Sequence, residues 1–315
     1  MGRLFSFLMK IMIPRAFTRR KIIRFPGLTA LLLLAVPSLT FPVYPEENLQ
    51  RKTDYILLYQ RDNGGWPKNY DRDQNPSAQE VINIRAKRGG NDATFDNGAT
   101  HTEVRLLADA FNSTGNIRYK NALLKGVELM LLTQYPNGGW PQRPNASGYS
   151  KHIPFNDGAM IGVMTTLRDL ANDRDAYSFI DERLRTRCRN AVEKGILCIL
   201  KCQISVDGKR TAWCASISGA ESVGIVRFLM QIEKPSPKII AAVQGAIRWF
   251  DEAKLTGIRE IRMDSKGSPK GFDKVVVKDS KAPPIWARFY RIGTNQPIFC
   301  SRDGIPRKTL AGISY

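Results

Sequence analysis

Gln60-Arg61-Asp62-Asn63-Gly64-Gly65-Trp66-Pro67 returns as Gln134-Tyr135-Pro136-Asn137-Gly138-Gly139-Trp140-Pro141, and a reduced third copy follows as Gln203, Gly208 and Trp213. A phrase that recurs about every 70 residues marks a repeat architecture, in which each unit buries its apolar face against the next. A second signal follows each copy: Phe95-Asp96-Asn97-Gly98-Ala99-Thr100, Phe155-Asn156-Asp157-Gly158-Ala159-Met160 and Ile217-Ser218-Gly219-Ala220-Glu221-Ser222. The two signals alternate along the chain, so each cycle has one loop of each kind.

The stretches between them read as helices. Residues 46 to 60 form one candidate, stopped by the Gly-Gly-Trp-Pro that follows. A long polar loop then runs to Asp96. Helices are expected over about 98–112 and 117–134, the first with Val104, Leu106, Leu107, Ala110 and Phe111 on one face, the second with Leu123, Leu124, Val127, Met130 and Leu131. The cycle repeats over 157–171 and 176–203, then over 219–232 and 238–255, where Lys234-Pro235-Ser236-Pro237 suits a helix start. Residues 258–278 alternate and read as an irregular β-rich segment, with an aromatic-rich tail after Pro283. Short and long helices in alternation predict an all-α-dominated fold, an (α/α) toroid of antiparallel helix pairs with long loops. Every Gly-Trp loop and every Gly-Ala helix start then gathers at one end. Several positive helix-dipole ends meet there, favouring anions.

Composition narrows the partners. With 315 residues, 43% of them apolar, the chain can bury a full core, and the 48 Lys and Arg against 29 Asp and Glu leave a formal charge of +19. That balance suits a polyanionic partner or a solvated basic surface. No zinc-knuckle spacing and no Lys/Arg run interleaved with aromatics points to nucleic acid. The five Cys contain no Cys-x-x-Cys pair, so they read as mostly buried thiols with at most one disulfide. Residues 1–45 read as an export signal or an N-terminal anchor: Arg15, Arg19, Arg20, Lys21 and Arg24 precede an apolar run, 28–36, too short to span a bilayer comfortably. Thr18-Arg19-Arg20-Lys21-Ile22-Ile23 loosely resembles a twin-arginine signal. The rest, 46–315, is expected to be one domain in a secreted or periplasmic protein with no stable membrane span.

Chemistry is suggested by the repeated phrases. The Gln, Gly and Trp of the first phrase have a sufficient structural role, as Gln can bond free backbone groups at a helix end, Gly turns the chain and Trp packs; an exposed Trp can also stack on a sugar. The same phrase resembles the Gln-Trp motif of terpene cyclases, although no Asp-x-Asp-Asp acid motif accompanies it. In the second phrase, Asp96-Asn97 and Asn156-Asp157 stand at predicted helix starts, where Asp and Asn usually act as N-caps. Together they also place two carboxylates and two amides at one end of the toroid, a hard-oxygen cluster suited to calcium.

Residues from about Leu49 to Gly304 resemble the pectic acid lyases of polysaccharide lyase family 10. The matching stretches are Asn63 to Asn69, Asp96 to Thr100, Gln134 to Gln142, Asn156-Asp157, Thr211 to Cys214, Ser218 to Ser222, Trp286 to Tyr290 and Arg302 to Gly304. The resemblance implies calcium-dependent β-elimination of polygalacturonate, with an arginine removing the C5 proton under alkaline conditions. It further implies that Asp96 and Asp157 bind metal and that Asn97 belongs to the same calcium and substrate-carboxylate cluster. Lys68 and Asn69 are sugar contacts or plain loop residues; Arg227 is a cationic substrate contact or a solvated helix residue.

The chain also departs from that family. Cys214 runs directly into Ala215-Ser216-Ile217-Ser218, where relatives have a longer stretch containing a substrate-contacting arginine. The register puts Gln296 at the base position, and an amide cannot accept a proton, so Arg288 and Arg302 are the candidate catalytic arginines. Relatives also continue beyond the Arg302-Asp-Gly304 stretch with a further helix, whereas this chain stops at Tyr315. An active pectate lyase and a weakened relative that only binds acidic polysaccharide are both consistent with this pattern.

Overall fold

The computed structural model describes residues 46–173, 175–213, 218–267, 271–300 and 305–307. The export-signal reading of residues 1–45 falls outside them, and no helix of the described residues is long and apolar enough to cross a membrane. The chain from Glu46 onward is one compact unit.

Among the described residues the α-helices are α1 Glu46–Tyr59, α2 Ala78–Ala86, α3 His101–Thr114, α4 Ile117–Leu132, α5 Ala159–Asn172, α6 Glu182–Cys202, α7 Gly219–Met230 and α8 Pro237–Glu252. They pair as α3 with α4, α5 with α6 and α7 with α8. Helices α3, α5 and α7 pack in one row and α4, α6 and α8 in a second, while α1 packs against the first pair. This is the (α/α) toroid that the repeats predict. Its core fills the space between the rows, with Val104, Leu107, Leu123, Val127, Met130, Val163, Leu167 and Ile199 all fully buried.

The turns that separate the helices follow local chemistry. Gly115 ends α3 in the left-handed region at φ 67°, and Asn116 immediately caps α4 by accepting a bond from the Arg118 N–H at 3.1 Å. Helix α6 starts later than the expected 176, at Glu182, behind an Asp181 cap on the Leu184 N–H. Residues 176–181 are instead folded into a turn around the buried Arg185 guanidinium, which donates to the carbonyls of Leu170, Ile180 and Tyr177. The polar loop before Asp96 also differs from expectation, since it contains α2. Its signal was present in the sequence: Ser77 and Glu80 form a capping box ahead of Val81 and Ile82.

The repeated phrase is a clamp. Gln60 Nε2 donates to Gly64 O in its own loop at 2.9 Å and to Ala122 O of α4 at 2.8 Å. Gln134 does the same with Gly138 O and Ala191 O of α6, and Gln203 with Thr211 O and Ala242 O of α8. Each tryptophan returns its indole N–H to the preceding helix: Trp66 to Ile56 O, Trp140 to Met130 O and Trp213 to Ile199 O, at 2.7–2.9 Å. All three rings are fully buried, which removes sugar stacking as their role. Gly64 and Gly138 have φ of 94° and 91°, and a Cβ on Gly138 would lie 2.1 Å from Lys194 O.

Trp286 completes the series, donating to Phe250 O of α8 at 2.8 Å. The sequence spacing of the tryptophans is nearly even, but the inserted antiparallel hairpin β3 Ile258–Asp264 and β4 Phe272–Lys278 hides the fourth phrase. Small ladders complete the segment: β1 Ser205–Val206 with β2 Lys209–Arg210, and β5 Phe289–Tyr290, β6 Pro297–Cys300 and β7 Pro306–Arg307 in one sheet. Cys188, Cys198 and Cys202 are free thiols.

Replacing Gln134 with Met keeps the side-chain length and leaves two interior carbonyls without their donor. Urea unfolding is expected to show a loss of about 2–4 kcal/mol, whereas an exposed glutamine such as Gln79 is expected to tolerate the same change with little effect.

Candidate active site

The site begins in the backbone of the second signal. Asp96–Gly98 is a single 3₁₀ turn, with Asn97 at φ 51° and Gly98 at φ 80°. Thr100 also has positive φ, 66°, which is unusual for a β-branched residue. Its hydroxyl compensates by accepting from the Trp66 N–H at 3.0 Å and donating to Thr94 O at 2.9 Å. The Thr94 hydroxyl accepts from the Asp96 N–H at 3.1 Å and donates to Gln142 O at 2.8 Å. The turn is thereby held by the loops that follow both Gly-Gly-Trp-Pro phrases.

The second repeat builds the same turn at Asn156–Gly158, with Asp157 at φ 53°. The two turns pack against each other. Their residue order is exchanged, however: in the first a buried carboxylate precedes a left-handed amide, and in the second a half-buried amide precedes a left-handed carboxylate. Asp96 is therefore 2% exposed while Asp157 projects on the surface. Neither acts as a helix cap. The cap positions of α3 and α5 are Thr100 and Gly158, without side-chain bonds to the helix ends, so the carboxylates remain available for other work.

Lys68 and Asn69 arrive from the first Gly-Trp loop. The Lys68 ammonium bonds Asp96 Oδ2, and Asn69 Oδ1 accepts from Asn97 Nδ2 at 3.1 Å. Asp96 Oδ1 is buried and has no hydrogen-bond partner. A buried carboxylate oxygen without a donor is costly, and a cation would satisfy it. Two carboxylates with neighbouring amide oxygens form the hard donor set that calcium takes. Among the described residues no three His, Cys, Asp or Glu side chains converge, so this shell is partial and leaves room for water or an anionic ligand.

The third repeat contributes different groups. Helix α7 packs against the Asn156–Gly158 turn. There Glu221 accepts from the Ser218 hydroxyl and pairs with Arg288 at 3.3 Å, and the Arg288 guanidinium lies 5.2 Å from the Phe289 ring centre. Lys68, Asn69, Asp96, Asn97, Asp157 and Arg288 are therefore gathered at one end, where α3, α5 and α7 all begin. Gln296 is on an exposed turn of the hairpin that follows Arg288, where Asn295 accepts from Trp249 of α8 at 3.0 Å. Arg227 sits in the last turn of α7, about 12 Å along the helix from its start. Arg302 falls outside the described residues.

A buried polar layer underlies the first turn and was not legible in the sequence. Glu103, fully buried, accepts from Tyr70 Oη at 2.8 Å and from Arg72 at 2.6 Å. Burial, and then Glu103, pushes the Tyr70 phenol well above its usual range. His101, the first residue of α3, is 7% exposed, with neither ring nitrogen hydrogen-bonded. Burial, reinforced by Arg105 and Arg72, lowers it from 6.5 to about 3. Gly162 of α5 gives the ring its space: a Cβ there would lie 2.2 Å from His101 Nε2.

Residues 60–314 match the pectic acid lyase family model. The chain belongs to the pectic acid lyase family. Among solved structures it resembles a family 10 polysaccharide lyase from Cellvibrio cellulosa, with 32% identity and a TM-score of 0.72 over 85% of this chain and 87% of that one. A point mutant of that enzyme in complex with trigalacturonic acid matches equally, over 85% and 88%. No curated protein matches. Family membership displaces the terpene-cyclase reading and agrees with polysaccharide lyase activity.

Because the folded-state pKa of His101 lies below the unfolded one, the neutral ring's contribution is present above about pH 6.5 and is lost as pH falls toward about 3. Each unit in that window removes up to about 1.4 kcal/mol. Urea midpoints measured from pH 7 to pH 4 are expected to fall more steeply for the parent chain than for His101→Gln.

Proposed function

We propose that the chain cleaves polygalacturonate by calcium-dependent β-elimination. The observation that carries this reading is the buried, unpartnered Asp96 Oδ1 in a turn packed against that of Asp157. Asp96 and Asp157, with the Asn97 amide oxygen, would hold the cation. Bound there, calcium supplies charge neutralisation at the uronate carboxylate and so stabilises the enolate-like transition state. Lys68 adds a second positive charge next to Asp96, and the starts of α3, α5 and α7 contribute the positive ends of their dipoles. Asn69 and Asn97 would bond sugar hydroxyls in this reading.

Arg288 is the base in this reading. A deprotonated guanidine takes the C5 proton, the C5–H electron pair forms the C4–C5 double bond, and the 4-O bond breaks with its electrons leaving on oxygen. A proton then reaches that oxygen, giving one unsaturated end and one new chain end. Arginine is protonated at neutral pH, so the rate rises with alkalinity. The polymer lies outside cells, in keeping with export through residues 1–45 to the periplasm or the exterior.

A second reading, a family member that binds acidic polysaccharide with weakened or no turnover, is favoured by the Glu221–Arg288 pair. That ion pair engages the side chain that the lyase reading uses as its base.

Ultraviolet absorbance on polygalacturonate near pH 9–10 separates the readings. The expected result is a calcium-dependent rise in absorbance, abolished by chelator and reduced about 100-fold or more in Asp157→Asn or Arg288→Ala. Absorbance unaffected by chelator would overturn the calcium assignment; retained binding without absorbance would establish the second reading.

A further inference from the structure

We propose that the outer face of the first repeat is a second binding site for a uronate oligosaccharide, formed by α1, α2 and α4. This inference rests on the acidic-polysaccharide reading for its ligand class. Its starting point is α2, which has no counterpart in the second repeat, where the matching loop holds only the short turn Gly148–Lys151. Helix α2 adds little to the core, since Ile84 is its single buried residue. What it adds is charge. Arg85 in its last turn and Arg88 just beyond it face Arg118, Asn121 and Lys125 of α4 across a cavity of about 330 Å³.

The cavity lining contains these four cations and no acidic side chain. The nearest ion pairs, Arg88 with Asp62 and Arg118 with Asp54, are both 3.7 Å long, so they leave the guanidinium groups free to take shorter bonds. Arg85 and Arg118 also line an adjoining groove of about 620 Å³, making the basic surface continuous along α1. These volumes suit small ligands. Guanidinium groups bind planar carboxylates in bidentate fashion, the Asn121 amide suits a hydroxyl, and Leu57 and Leu58 offer an apolar wall to the C–H face of a sugar ring. A polymer with one carboxylate per sugar matches such a row of cations, and a second contact raises its effective concentration at the catalytic end. A free phosphate would use the same groups, so the test includes it.

The test is affinity electrophoresis of the full chain in gels with and without polygalacturonate, with chelator present to silence a calcium-dependent central site. The parent chain is expected to remain retarded. Arg85→Glu/Lys125→Glu is expected to lose about tenfold in apparent affinity, and the milder Arg85→Gln/Lys125→Gln part of that. Arg183→Glu/Lys201→Glu on α6, with the same charge change, is expected to behave like the parent. Equal retardation of the parent and Arg85→Glu/Lys125→Glu overturns the site, as does equal loss in the α6 control. If inorganic phosphate displaces the polymer where chloride of equal ionic strength does not, the uronate assignment fails in favour of phosphate. Failure of the lyase reading is separately visible, as parent protein that forms no unsaturated product whatever its migration.

Discussion

A single side-chain amide sets the spacing of this molecule. Gln60, Gln134 and Gln203 each point two N–H groups in different directions, one at the loop they begin and one at a carbonyl of the next helix in the row of α4, α6 and α8. A glutamine has the reach and the paired donors for this, and no apolar residue could satisfy two interior carbonyls at once. With the loop pinned, its glycine can press against the neighbouring backbone and its tryptophan can fill the gap between rows, returning a bond to the helix it left. Successive helix pairs are thereby locked at one end, and hydrophobic packing between the rows does the rest.

The site is a consequence of that locking. Loops fixed on one side of the ring bring Trp66 to Thr100 and Gln142 to Thr94 and Phe95, so the turn before α3 is held by its neighbours rather than by its own helix. Such support allows left-handed Asn97 and Asp157 and a positive-φ threonine to persist. Repetition of the turn puts two carboxylates together. The exchange of Asp and Asn between copies separates their environments, one sheltered beside Lys68 and one open to ligand. The third copy has diverged furthest, replacing the acid-amide pair with Ser218 and Glu221, and Glu221 engages Arg288 from the last phrase.

Much of this could be read from the chain. The twice-written phrase and the evenly spaced Gly-Ala pairs carried the toroid, its helix pairs and the gathering of loops at one end. Asp96, Asn97 and Asp157 were visible as a cluster because they recur. Three things stayed hidden, for different reasons. Helix α2 was hidden because its polar composition resembles a loop, and only the Ser77–Glu80 box betrays it. The Trp286 phrase was concealed by the hairpin inserted before it. The Tyr70, Arg72 and Glu103 layer joins residues from separate elements, and no local pattern announces such a contact. The capping role expected for Asp96 and Asp157 failed because helices α3 and α5 begin one turn, and one residue, later than the acids suggested.

The account stands or falls on whether the paired turns bind a uronate through a cation. Calorimetric titration of trigalacturonic acid into the full chain, with calcium and then with chelator, measures this directly. A calcium-dependent component of the binding, absent in chelator and absent likewise in Asp157→Asn, over and above metal-free binding at the α1, α2 and α4 face, is the result the paired-turn geometry requires. Binding of equal strength and stoichiometry under both conditions would show no calcium-dependent component, and would contradict the role given to Asp96 and Asp157.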